Sequence, residues 1–374
     1  MAIQFEIFHT DRAARCGRIT TPHGSFETPA FMPVGTNATV KALTPEEIKE
    51  THSEIILGNA YHLYLRPGQE LVARMGGLHR FMNWDGPILT DSGGFQVYSL
   101  APLRQITEEG VTFQSHIDGS RHHFTPESVM QLENNLGADI IMCFDECTPY
   151  PVTFEYAAHS VDMTTRWAER CRNAHQRQDQ ALFGIVQGGV FRELREKSAR
   201  DLIDLDFPGY AIGGLMIGED KAMTWDTCKA VCELLPPEKP HYLMGVGTPE
   251  DFLDGILRGV DMFDCVIPTR LARNGHFLTW NGRISIKQVR YREDVCPPDP
   301  NCPCYCCRHY SRAYLRHLFQ AGEILASRLA TVHNLTFFQA FMRRCREEIQ
   351  QGTFTSFYHM WFTSHTEGPI PTTE

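Results

Sequence analysis

DMFDCVIPTRLARNG, Asp261–Gly275, begins with an apolar run, Met262 to Ile267, that is interrupted by one carboxylate, Asp264, and stopped by Pro268. A carboxylate inside an otherwise apolar strand is costly unless it is paired or used. Behind it stand Arg270 and Arg273, whose guanidinium groups suit phosphate better than a core. Asn274-Gly275 then signals a turn. The same kind of run, short, apolar and ending in Gly, Asp or Asn, recurs upstream: EIILGN (Glu54–Asn59), ILTDSGG (Ile88–Gly94), ADIIMCFDE (Ala138–Glu146), LFGIVQGG (Leu182–Gly189), GYAIGGL (Gly209–Leu215) and HYLMGVG (His241–Gly247). Helical stretches separate most of them, and strand, helix, strand in repetition predicts a parallel sheet with crossover helices. Seven strands with a weakly defined eighth predict an α/β fold, a (β/α)8 barrel, over an open sheet. No GxGxxG opens a helix, which weakens a dinucleotide-binding reading.

The helical signals are specific. In TPESVMQLENNLG, Thr125 is placed to cap and Pro126 to take the first helical position. FEYAAHSVDMTTRWAERCRNA, VFRELREKSARDLIDLD and TPEDFLDGILRGV carry apolar residues at helical spacing. Residues 1–50 alternate instead, with His23-Gly24 as a turn, and read as antiparallel strands packed on the barrel. HFLTWNGRISIK reads as a hairpin closed by Asn281-Gly282. Residues 276–345 form a metal-binding subdomain with helices, and the whole, 1–374, is read as one barrel domain. The last residues, TEGPIPTTE, are expected to fray.

Hydrophobic content of 42% and charged content of 21% are those of an ordinary soluble globular protein. No apolar run approaches the roughly 18 residues of a membrane helix, and the first residues lack a signal peptide's apolar core. A soluble, cytoplasmic protein with no membrane partner is expected, its 13 cysteines mostly thiols or metal ligands. A net charge of −10 argues against indiscriminate nucleic-acid binding. From Arg270 to Gln350, however, 13 Lys and Arg face 6 Asp and Glu, a surplus of +7 that leaves −17 on the remainder. A basic third on an acidic body is the pattern of a localised anion site.

Five of the 13 cysteines fall within residues 296–307. Cys304-x2-Cys307 has the spacing of a thiolate knuckle, and Cys302, across Pro303, can supply a third sulfur. With one histidine this makes a closed, structural Cys3His zinc site. Spacing alone leaves His333, His309 and His317 open as the fourth ligand, with Cys306 directed elsewhere and Cys296 a spare candidate.

In a barrel the C-terminal strand ends carry the chemistry. Here they supply Asp91, Asp145, Gln187, Gly213-Gly214, Gly245 and Asp264. Ser92-Gly93-Gly94 after Asp91 exposes N–H groups to a ligand, although taken alone that tetrad is more often a turn or cap. Three carboxylates, an amide and glycine pairs at one rim are harder to dismiss than any one of them. One carboxylate can attack a sugar carbon while another shuttles the leaving group's proton. A third, with an amide, suits the edge of a purine. Phe95 and Met244 are apolar groups placed to sandwich a flat ring, a position that core residues fill more often.

LTDSGGFQV, FDEC, GIVQGGV, GGLxxGE, HYLMGVGTPED, DMFDCVxPTR and CPCYCC with a distant histidine occur here in order. Through these motifs the chain resembles the bacterial tRNA-guanine transglycosylases (the queuine tRNA-ribosyltransferase family) over nearly its whole length. The resemblance implies an irregular (β/α)8 barrel with a zinc-bearing insert near the end, working as a homodimer, and base exchange at the wobble guanosine, position 34, of tRNAs with GUN anticodons (Asp, Asn, His and Tyr). It implies Asp264 as the nucleophile that links covalently to ribose and Asp91 as the general acid/base. Asp145, Gln187 and Gly214, with Ser92, Gly93 and Gly94, would bind the base between Phe95 and Met244. Gly245, Val246, Gly247, Thr248, Pro249, Glu250 and Asp251, and Thr269, Arg270, Leu271, Ala272 and Arg273, would contact RNA. Cys302, Cys304, Cys307 and His333 would hold one Zn2+ per subunit, so the resemblance selects His333.

Two departures stand out. The Ala-Val pair usual after GGL is Met216-Ile217 here, beside the space for the base's 7-substituent. Bacterial members insert the 7-deazaguanine preQ1 and eukaryotic relatives queuine; Cys147 is bacterial-like, while Met216-Ile217 reshapes that space. The second is Leu271, between two arginines, where a small or polar residue is usual. Two rivals are a metal-dependent barrel hydrolase, which would want histidine-rich strand ends, and a non-catalytic RNA-binding subunit, which would lack the acidic pair.

Overall fold

The computed structural model describes residues 2–100 and 104–365; TEGPIPTTE, expected to fray, lies outside the described residues. Eight parallel strands close a barrel in chain order: Ala30–Gly35, Ile56–Asn59, Ile88–Asp91, Ile140–Met142, Ala181–Val186, Tyr210–Ile212, His241–Leu243 and Met262–Cys265. The last pairs back onto the first, Met262 opposite Ala30 and Asp264 opposite Met32. Seven of these are the runs read from the sequence. The eighth, AFMPVG, falls in the stretch read as antiparallel sheet. All six of its residues are buried, and a parallel strand covered on both faces shows no alternation to read. The antiparallel sheet itself comprises Gln4–Asp11, Ala14–Thr21 and Gly24–Thr28.

Strand parity decides which side chains enter the barrel. Met32, Leu57, Leu89, Ile140, Met142, Phe183, Ile185, Ala211, Tyr242 and Met262 form the interior cluster, joined from below by Ile3, Ile19 and Phe26 of the N-terminal sheet. Their strand neighbours Ile56, Ile88, Ile141, Leu182, Ile212, Leu243 and Phe263 pack outward against the helices. The buried Arg15–Asp261 pair, with Nε 2.8 Å from Oδ1, ties the sheet to the last strand.

The capped helix appears as Pro126–Leu136, Thr125 Oγ1 accepting the Ser128 N–H in a capping box. Phe154–Ala174 and Arg192–Asp204 form the next two helices. Three short antiparallel strands, Arg104–Ile106, Val111–Gln114 and Arg121–Phe124, are inserted after the Ile88–Asp91 strand. They carry too few residues for a period to register. Pro268, expected only to stop a strand, sits in the first turn of a helix, Ile267–Arg273. The hairpin His276–Thr279/Gly282–Ser285 turns at Trp280-Asn281, one residue earlier than expected, with Gly282 at φ +101° opening its second strand. Asn334, on the long helix Ile324–Gln350, clamps this region to the barrel. Its Oδ1 accepts the Leu278 N–H (2.9 Å), and its Nδ2 donates to the Pro268 and His276 carbonyls (3.0 Å each).

Candidate active site

A cleft of about 390 Å3 opens at the C-terminal ends of the strands. Parity explains its lining. Asn59, Asp91, Gln187, Gly213, Met244 and Asp264 each lie two residues beyond an interior residue (Leu57, Leu89, Ile185, Ala211, Tyr242 and Met262). Residues spread over more than two hundred positions therefore form the top layer of one barrel.

The two candidate catalytic carboxylates are held differently. Asp264 receives the Tyr242 hydroxyl at 2.6 Å and the Gly245 N–H at 2.7 Å, both on Oδ1. Oδ2 has no protein donor among the described residues. Burial raises the Asp264 carboxyl above its ordinary range, against those two hydrogen bonds. Asp91 accepts the Ala60 N–H on Oδ1 (3.0 Å), and on Oδ2 the amides of Gln96 (2.9 Å) and Asn59. Burial, helped by the Asp264 charge, pushes Asp91 up to about 7 against these donors. Such a group exchanges a proton readily near neutrality. Asn59, Gln96 and Tyr242 are site residues that the sequence reading passed over. Asn59 and Tyr242 sat within quoted runs, and a polar side chain at an interior position was the signal available.

Asp145 and Gln187 are joined. Gln187 Nε2 donates to Asp145 Oδ2 at 2.7 Å and Ser92 Oγ to Oδ1 at 3.2 Å, while burial lifts Asp145 to about 6. Gln187 Oε1 is buried without a donor among the described residues. The Gly213-Gly214 pair is required here: a Cβ on Gly213 would lie 2.7 Å from Gln187 Nε2, and one on Gly214, at φ +64°, 2.5 Å from Oε1. A Cβ on Gly94 would fall 2.6 Å from Asp145 Oδ1. Gly93, Phe95 and Met244 line the same cleft, Phe95 at its exposed rim. So do Met216 and Ile217, whose N–H groups both point to the Glu219 carboxylate.

The two segments read as RNA contacts begin at or just beyond strand ends that line the cleft, at Gly245 and at Cys265-Val266. Gly245, Arg270 and Arg273 are exposed, and Glu250 and Leu271 are partly so. Val246, Gly247, Thr248, Pro249, Asp251, Thr269 and Ala272 are buried. Thr248 and Asp251 form the capping box of the helix Pro249–Ile256. Burial and the neighbouring Arg270 charge lower Arg273 from its ordinary value, as expected for two cations side by side.

Cys302, Cys304, Cys307 and His333 bring their ligand atoms within 4.8 Å of one another, a grouping able to hold a metal ion. His333 Nδ1 lies 3.7 Å from Cys304 Sγ and 3.2 Å from Cys307 Sγ. Tetrahedral Zn–S and Zn–N bonds of about 2.3 and 2.0 Å space such atoms about 3.5 Å apart, so the donor set fits. His333 Nε2, 2.7 Å from the Leu278 carbonyl, carries the proton and leaves the Nδ1 lone pair facing the sulfurs. Cys296, exposed, and Cys306, buried, stand outside this group, as do His309 and His317.

Barrel and cleft together define a (β/α)8 protein with a cluster of buried carboxylates at its strand ends. A family model described as queuine tRNA-ribosyltransferase matches residues 11–367. Curated relatives agree. The queuine tRNA-ribosyltransferase of Desulforamulus reducens is 60% identical over 90% of this chain and 91% of its own. That of Pelotomaculum thermopropionicum is 58% identical over 96% and 97%, and that of Solidesulfovibrio magneticus 58% over 93% and 94%. The chain belongs to the queuine tRNA-ribosyltransferase family and is a tRNA-guanine transglycosylase.

Proposed function

We propose that this enzyme exchanges guanine 34 of GUN-anticodon tRNAs for preQ1 through a covalent Asp264–ribose intermediate, in queuosine biosynthesis. The observation that carries the reading is the pair of unlike carboxylates: Asp264 pinned through Oδ1 with Oδ2 open, and Asp91 near 7. In the first displacement Asp264 Oδ2 attacks ribose C1′. The C1′–N9 bond breaks, its electron pair goes to N9, and Asp91 supplies the proton that neutralises the departing guanine. In the second, Asp91 takes the N9 proton of the incoming base, whose nitrogen attacks C1′ and releases Asp264. Each displacement inverts C1′, so the tRNA keeps its configuration.

Asp145, Gln187 and Gly214, with Ser92, Gly93 and Gly94, bind the base edge, and Phe95 and Met244 cover its faces. The wobble base must leave the anticodon stack to reach them. Gly245–Asp251 and Thr269–Arg273 guide the RNA, their exposed members making contact and their buried members shaping the backbone. One structural Zn2+ per subunit closes the Cys3His group and orders residues 276–345 without taking part in the chemistry. The enzyme is a single-domain barrel that works as a cytoplasmic homodimer; no helix among the described residues is long and apolar enough to cross a membrane. Queuine is the second reading for the incoming base, kept open by the unusual Met216-Ile217 lining beside the space for the 7-substituent.

Exchange of labelled guanine in a GUN-anticodon tRNA, competed separately by preQ1 and queuine, tests the reading. Wild type is expected to exchange, with preQ1 the stronger competitor, and Asp264→Asn to lose both exchange and the trapped covalent adduct. Undiminished exchange by Asp264→Asn would sink the nucleophile assignment.

A further inference from the structure

Arg195 occupies the first turn of the helix Arg192–Asp204 and is wholly buried. Its guanidinium meets no carboxylate among the described residues; its four partners there are all peptide carbonyls. Nε donates to Gly189 (2.7 Å), Nη1 to Val186 (2.8 Å) and Gly213 (2.7 Å), and Nη2 to Gly214 (3.1 Å). Those carbonyls belong to the ends of two adjacent barrel strands, the ones that present Gln187 and Gly214 to the cleft. Burying a charge on neutral dipoles is expensive, and the cost shows as a guanidinium lowered by burial to about 10. A neutral side chain would fill the space at less cost, so the charge points to a demand on the carbonyls' direction.

That direction has a consequence on the far side of the peptide. In a trans peptide the C=O of one residue and the N–H of the next point opposite ways. Holding the Gly213 carbonyl on Arg195 therefore turns the Gly214 N–H away from the helix, toward the cleft that Gly214 lines. The Gly214 N–H finds no acceptor among the described residues, nor does the Leu215 N–H beyond the held Gly214 carbonyl. The same glycines form the surface against which the Gln187 amide rests.

We propose that Arg195 is a positioning residue for base selection: by gripping the Gly213 and Gly214 carbonyls it aims the Gly214 N–H at the carbonyl oxygen of the bound purine. The inference rests on the reading that Gly214 and Gln187 bind the base. Arg195 touches neither base nor ribose, so its loss acts on recognition of the base and spares the chemistry at C1′.

The test uses the full-length enzyme with tRNA and compares free guanine with 6-thioguanine, which keeps the N1–H and 2-amino group and puts a poorly accepting sulfur in place of the carbonyl oxygen. Wild type is expected to disfavour 6-thioguanine by about tenfold, the worth of one buried hydrogen bond with its unmet partner. Arg195→Lys, whose ammonium cannot span both strand ends, is expected to raise the KM for guanine about tenfold and to level the two bases, with kcat and tRNA affinity held within about threefold. Arg195→Gln provides the same readout if the lysine variant does not fold. Wild-type KM and wild-type discrimination in a folded variant would overturn the inference, as would failure of both variants to fold, which would make Arg195 a prop of the barrel only. A wild type without guanine exchange would refute the transglycosylase reading itself; exchange without discrimination between the two bases would refute only the aim of the Gly214 N–H.

Discussion

Replacing Asp91 by Asn should stabilise the fold as pH rises while removing the activity. Asp91 is buried, and its carboxyl moves from 3.8 to about 7, chiefly because burial penalises its charge. The folded-state value lies above the unfolded one. The stability tied to the protonated carboxyl is therefore fully present below about pH 4 and is lost as pH rises through about 7. At about 1.36 kcal/mol per pH unit, the stability lost relative to acid pH, because the folded carboxyl resists ionising, is about 2 kcal/mol at pH 5.5 and about 4 kcal/mol at pH 9. The asparagine carries no such cost; Gln96 Oε1 is buried without a donor among the described residues, and a flip of that amide offers an acceptor to the new NH2 group. Constant effects of the substitution cancel between two pH values, so the stability difference between variant and wild type should widen by about 2 kcal/mol from pH 5.5 to 9. With about 2.1 cal/mol/K of unfolding entropy per residue, that is a widening of about 2–3 °C in Tm. Paired thermal melts across that range measure it, and exchange should fall by about 10²–10⁴ when the proton shuttle is removed. A Tm difference that stays flat with pH, or narrows, would refute the assignment of Asp91 as a carboxyl held near neutrality; wild-type exchange in the variant would refute its role as acid and base.

The metal group and the cationic rim give two further expectations. Cys307→Ser should reduce bound zinc from one ion per chain to none and lower the melting temperature; metal analysis beside a melt reads both, and an unchanged Tm at zero zinc would remove the ion's structural role. Arg270→Ala and Arg273→Ala should each weaken tRNA binding and flatten the slope of log Kd against log salt by about 0.7–0.9 for every phosphate that is no longer neutralised. Salt titrations with an unmodified tRNA check this, and an unaltered slope in both variants would take the arginines out of the RNA interface.

Legibility in the sequence followed the physics of each element. Long helices announced themselves, because Phe154–Ala174 repeats its apolar positions over 21 residues and Thr125 caps with a side chain that can be named in advance. The barrel was legible as recurrence, seven apolar runs ending in small or polar residues. Its first strand was not, because AFMPVG is buried on both faces and follows directly on strands that do alternate. Asp264 stood out by cost, a carboxylate in an apolar run. Tyr242 did not, because a tyrosine in a strand reads as core; only closure of the barrel turns its hydroxyl onto Asp264 at 2.6 Å. Arg195 was hidden for a further reason. Read along the helix it is one cation in a charged first turn, and its four partners are backbone carbonyls, which leave no mark in a sequence. Residues that bind through side chains can be anticipated from composition and parity, whereas a group that steers other residues' peptides becomes visible only when the strand ends stand side by side. The carboxylates of this cleft could thus be named from the chain, but the arginine that holds the strand-end carbonyls could not.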